Sequence, residues 1–143
     1  MIRRLAALAA AGLLLSACGS ESVPTAVKSW VSQSAFHAAV STLRGDAASA
    51  ARELRDARAT AVDLHTVCAV LDLESEQANA SLPTPDDQST ELLSHAYDDL
   101  GAAAVKCYGA QSSAPKRAAA LASLSDGVGY LAEASARIAS LSS

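Results

Sequence analysis

Three cysteines and three histidines carry the most reactive side chains in this 143-residue sequence. His65-Thr66-Val67-Cys68 sets a histidine and a cysteine one helical turn apart, a corner that a metal could share. A structural zinc needs four ligands, and no companion motif completes the set. Cys68 and Cys107 do not form the Cys-x-x-Cys spacing of a dithiol redox pair. His37, His65 and His95 are scattered, and Glu91 lies four residues before His95, where di-iron bundles use a spacing of three. No Gly-x-Ser-x-Gly elbow, Gly-rich phosphate loop or His-Glu-x-x-His is present. The expectation is a protein without catalytic residues, metal ligands or cofactor, hence not an enzyme. Arg52, Arg55 and Arg58 recur at spacing three with Glu53 and Asp56 between them. They read as a solvated face with local ion pairs, the alternative being an anion-binding ridge.

The third cysteine, Cys18, ends an unusual leader. Met1-Ile2-Arg3-Arg4 is basic, Leu5 to Leu15 carries no charge, and small residues follow. That is the layout of a secretory signal. The apolar run of about eleven residues falls well short of the roughly twenty that a membrane-spanning helix requires.

Leu15-Ser16-Ala17-Cys18 resembles the lipobox of bacterial lipoprotein precursors. The resemblance implies cleavage before Cys18, a diacylglyceryl group on its thiol, and anchorage at the extracytoplasmic face of the cell membrane. Two or three acyl chains at about 0.8 kcal/mol per buried CH₂ hold firmly, where one would be marginal. Residues 1–17 are then a signal peptide, 18–23 a lipidated tether and 24–143 the folded domain. Six flexible residues reach roughly 13 Å, which keeps that domain close to the bilayer.

Export changes the outlook for the remaining cysteines. In an oxidising compartment, an even pair reads as one disulfide, Cys68–Cys107. It would close a loop of about 40 residues, worth about 4 kcal/mol in the chain-entropy model. Without Arg3 and Arg4 the chain keeps nine Lys and Arg against fifteen Asp and Glu, a balance of −6. Such a surface argues against nucleic acid, whose binding rests on neutralising phosphates. Alanine dominates and aromatics make up only 3% of the chain, which favours helix and disfavours base-stacking or sugar-binding platforms.

Four helices with short loops must position these residues. The first opens at Pro24 and carries Val27, Trp30, Val31, Phe36, Val40 and Leu43; Gly45-Asp46 reads as its end and the next cap. The second shows a seam at Ala50, Leu54, Ala57, Ala61, Leu64, Cys68, Leu71, Ser75 and Ala78. At about 35 residues it would reach about 50 Å, so a bend or break near Ala59-Thr60 is expected. The proline loop Ser81 to Thr90 ends it, with Thr84 exposed there as a candidate for sugar attachment; the Asn79-Ala80-Ser81 sequon reads as chance. The third helix carries Leu93, Ala96, Tyr97, Leu100, Ala103, Ala104 and Cys107. The fourth starts at Pro115 with Leu121, Leu124, Val128, Leu131, Ser135 and Ile138 as its seam. Gly127 and Gly129 lie within it and mark a kink or a close helix approach. The expected fold is all-α, an antiparallel four-helix bundle.

The lipobox, Trp30, "CAVL" at Cys68, "LPTPDD" in the loop and "CYGA" at Cys107 resemble small Ala-rich lipoproteins and exported proteins of actinobacteria. The resemblance implies a helical domain with a Cys68–Cys107 bridge and brings no catalytic residue. The expected function is that of a lipid-anchored, non-enzymatic interaction or scaffold module contacting another envelope protein. The alternative is a carrier of a small apolar ligand between helices.

Overall fold

A computed structural model describes residues 21–111 and 113–143; the leader and Cys18 lie outside it. Among the described residues the chain is all helical: α1 Val23–Gln33, α2 Phe36–Arg55, α3 Ala61–Asn79, α4 Asp87–Tyr108 and α5 Ala114–Leu141. Five helices replace the four expected, because the expected first helix divides and the long second one breaks.

The break near Ala59-Thr60 is present, and local chemistry explains it. α2 ends at Arg55 with Asp56 as its C-cap, and Thr60 opens α3 with a capping box: its hydroxyl accepts from Asp63 N while the Asp63 carboxylate accepts from Thr60 N. The boundary expected at Gly45-Asp46 is absent. Both residues lie inside α2, where Gly45 is exposed and meets nothing, so the helix carries it at a cost of about 1 kcal/mol. The chain turns instead at Ser34-Ala35. Ala35 takes a left-handed φ of 50°, which costs a non-glycine residue about 1–2 kcal/mol. Ser34 offsets this by donating to the Trp30 carbonyl through its backbone N (2.8 Å) and its hydroxyl (2.7 Å). The turn also brings the Trp30 and Phe36 rings together at 5.3 Å.

Asp86 caps α4 by accepting from Ser89 N, and Ser113 caps α5 with Pro115 in the first turn. Each of α2 to α5 packs on the next, α4 against α5 most extensively, and α5 closes back on α2; α1 touches α2 and α5. The core is rich in leucine and alanine, with Leu43, Leu54, Leu64, Leu71, Leu93, Leu100, Leu131 and Ile138 fully buried. Each contributes about 1.5–3 kcal/mol by leaving water. Small residues set the spacing of α4 and α5. A Cβ on Gly127 would stand 2.9 Å from Leu100 Cγ and 3.0 Å from the Ala96 carbonyl oxygen, so this glycine marks a close approach within a continuous α5. Gly129 faces open space and has no such role.

Candidate functional site

Cys68 of α3 and Cys107 of α4 form a disulfide with Cα atoms 6.0 Å apart, both buried. Bonded to Cys107, Cys68 offers no thiolate, which rules out the His65–Cys68 metal corner. His65 lies edge-on to Tyr108 at 5.4 Å instead. Among the described residues, no group of three or more His, Cys, Asp or Glu side chains could hold a metal ion. The histidines stay apart, each beside an aromatic ring: His37 by Phe36 at 5.7 Å and His95 stacked on Tyr130 at 5.2 Å.

The loop between α3 and α4 is a fastening point. Thr84, expected to be exposed, is buried, because its polar atoms are taken up inside the loop. Its backbone N donates to Thr90 Oγ1 (2.9 Å) and its hydroxyl donates to the Asp86 carbonyl (2.7 Å). That burial removes it as a site for sugar attachment. Asp86 accepts from Ser89 N and Ser89 Oγ at one carboxylate oxygen, which Arg137 Nε also reaches at 2.6 Å; Arg137 Nη2 holds the other at 2.7 Å. The Arg137 guanidinium therefore holds the Asp86 carboxyl well below the usual carboxylate range, with the Ser89 bonds assisting. The pair ties the end of α5 to the start of α4. Trp30 Nε1 donates to the Ser81 carbonyl at 3.1 Å, so α1 is pinned to the same loop.

A second fastening point lies at the end of α2. Arg117 Nη1 donates to the carbonyls of Leu54 (3.2 Å) and Asp56 (2.5 Å), and Nη2 donates to that of Gln111 (2.8 Å). One guanidinium thus ties carbonyls at the end of α2 to the loop between α4 and α5. Lys106 Nζ donates to Ser123 Oγ at 2.6 Å and links α4 to α5. Burial pushes the Tyr97 hydroxyl up to about 12, so the ring stays neutral in the core.

Three surface features remain. One face carries Asp87, Glu91 and Asp98 in one groove and Asp99, Asp126 and Glu133 in another, with Tyr130 and His95 stacked at their borders. The second is a groove of about 300 Å³ between α2 and α5, floored by Ala47, Ala51 and Leu124 and edged by Arg44 and Arg55. The ridge of Arg52, Arg55 and Arg58 does not form: α2 ends at Arg55, which leaves Arg58 in the following turn. The third is the outer face of α3, where Val62, Val70 and Leu73 are 73%, 43% and 54% exposed. At 100° per residue they lie opposite the buried line of Leu64, Cys68, Leu71 and Ser75. This stripe was visible in the sequence as valine and leucine out of phase with the seam. The Asp86–Arg137 and Arg117 contacts, 51 and 61–64 residues apart in the chain, left no such signal.

No described helix is long and apolar enough to cross a membrane. No protein-family model, curated protein or solved structure matches the chain. The described residues present a stapled helical body with one apolar helix face directed at solvent.

Proposed function

We propose that this protein is a lipid-anchored, non-enzymatic interaction module of the cell envelope, held to the membrane through Cys18 and presenting the outer face of α3 to another envelope component. One observation carries the reading. α3 is apolar on both sides, and such a helix is normally covered on both. Here the inner line is packed and Val62, Val70 and Leu73 are left in water. Apolar residues gathered along one exposed helix face in this way favour an interaction surface. In the same reading α2 to α5 run up and down as an antiparallel four-helix bundle, an order favoured by their short connections. The leader motif supports the anchor, and the short tether keeps the module at the membrane surface.

The alternative, a carrier holding a small apolar ligand, is less well supported. Carrier sites enclose most of their ligand's surface, whereas the α2–α5 groove is an open trough with an alanine floor. The test is a photo-reactive residue at exposed Thr66 of α3, activated in intact envelopes, with an identical probe at exposed Ser140 of α5. The reading predicts a discrete covalent adduct from Thr66 and none from Ser140. Equal, diffuse labelling from both positions would refute it.

A further inference from the structure

The α2–α5 groove has the shape and charge to receive a helix. Its alanines, Ala48 and Ala51 among them, let a second helix approach closely, and Leu121 and Val128 form its apolar wall on α5. Arg44 and Arg55 edge it, both exposed and neither with a hydrogen-bonding or ionic partner among the described residues. Four other cations are engaged, Arg117 with carbonyls, Arg137 with Asp86, Lys106 with Ser123 and Arg52 with Ser49, and of the five whose side chains carry no such bond only Arg44 and Arg55 line this groove. Arg44 and Arg55 are eleven residues apart on α2, so the two side chains project within about 20° of each other and about 16 Å apart along the axis.

The outer face of α3 carries the complementary pattern. Its apolar stripe is bordered on one side by Asp63 and Glu74, again eleven residues apart and so about 16 Å along the axis. The axial levels also agree. Arg55 and Asp63 flank the α2–α3 turn, while Arg44 and Glu74 each lie about three to four turns away from it. With α2 and α3 antiparallel as proposed above, a second copy in the same orientation needs only sideways placement to bring Asp63 level with Arg55 and Glu74 with Arg44. Copies tethered to one membrane share that orientation, and confinement raises their effective concentration.

We propose that the α3 stripe of one copy seats in the α2–α5 groove of a second copy, so that the protein self-associates head to tail on the membrane. The proposal rests on the reading of α3 as a contact face and names the partner. Donor and acceptor surfaces differ, so the contact is heterologous and can repeat from copy to copy.

A photo-reactive residue at Ala48, in the full chain in its membrane, reads the contact. The expected product is a covalent dimer whose cross-linked peptide comes from α3 of the other copy. R44E/R55E lowers the yield at least about tenfold, as does V62R/E74R, which spares the Thr60–Asp63 capping box. Mixing these two variants, each shown folded by circular dichroism, restores cross-linking because the unaltered α3 of the first meets the unaltered groove of the second. Absence of a dimer, or adducts mapping outside α3, overturns self-association. A companion probe at Thr66 separates the two claims. Adducts solely with a different envelope component overturn self-pairing and leave α3 a contact face; no adduct from Thr66 overturns both.

Discussion

Replacing Gly127 with alanine tests the packing of α4 on α5, the most extensive helix contact in the molecule. The new Cβ would lie 2.9 Å from Leu100 Cγ, 3.1 Å from Leu100 Cδ2 and 3.0 Å from the Ala96 carbonyl oxygen. Leu100 is fully buried and the Ala96 carbonyl belongs to helix backbone, so neither can yield cheaply. Overpacking of this kind costs about 1–3 kcal/mol. Alanine returns about 1 kcal/mol through its better helix propensity. With backbone on one side of the clash, the upper part of the cost range applies, and the net loss is about 1–2 kcal/mol. Gly129→Ala is the internal control: nothing lies within 4 Å of its Cβ, so it should gain about 0.5–1 kcal/mol. The two variants should therefore differ by about 1.5–3 kcal/mol, or roughly 5–12 °C in melting temperature. Thermal and urea denaturation followed by far-ultraviolet circular dichroism, with the disulfide intact, would read the difference. If Gly127→Ala proved as stable as Gly129→Ala, the close approach of α5 to α4 would be wrong.

Three further outcomes are expected. Replacing Cys68 and Cys107 with serine opens a loop with a sequence separation of 39 and should cost about 4 kcal/mol, measured by urea denaturation against the oxidised protein. Asp86 has a folded-state pKa depressed below its ordinary value of 3.8, so the stability it adds is present above that value and lost as the pH falls below it. The stability difference between wild type and Asp86→Asn should accordingly stay constant above about pH 5 and shrink progressively under more acid conditions; a pH-independent difference would contradict the Arg137 assignment. Trp30→Phe removes the indole bond to Ser81 at about 1 kcal/mol, so hydrogen exchange should quicken about fivefold in α1 and stay unchanged in α4.

Where side chains meet along one helix, the sequence was informative. All seven seam residues expected on α4, from Leu93 to Cys107, are buried, and so are Leu64, Cys68, Leu71, Ser75 and Ala78 on α3. The seam of α2 and α3 is interrupted at the helix break, where Ala57 is exposed and Ala61, opening α3, is only half-buried. On α5 the expected seam holds at Leu124, Leu131 and Ile138 but not elsewhere. Leu121, Val128 and Ser135 lie on the flank, and Ala120, Ser123, Gly127 and Ala134 join the three on the contact line. Small residues decide that contact because backbone proximity does, a factor that hydrophobicity does not register.

Turns and long-range ties were harder to read. Gly45 carries the local signal of a helix end yet stays helical, while Ala35 turns without any punctuating residue because the Trp30–Phe36 contact and the Ser34 bonds offset its strained backbone. Thr84 looked like a polar loop residue, and its burial follows from bonds to Thr90 and Asp86 that only the closed loop creates. The cysteines were legible because their chemistry restricts their partners: two buried cysteines on adjacent helices, with Cα atoms 6.0 Å apart, pair with each other.

Anchorage of a disulfide-stapled helical module is the claim on which the functional account depends, and the intact mass of the protein from its native membrane, before and after reduction and alkylation, tests it most directly. The account predicts the mass of residues 18 to 143 plus acyl groups, with two alkylatable thiols appearing only after reduction. An unlipidated mass would contradict the anchor at Cys18, and thiols reactive without reduction would contradict the Cys68–Cys107 staple.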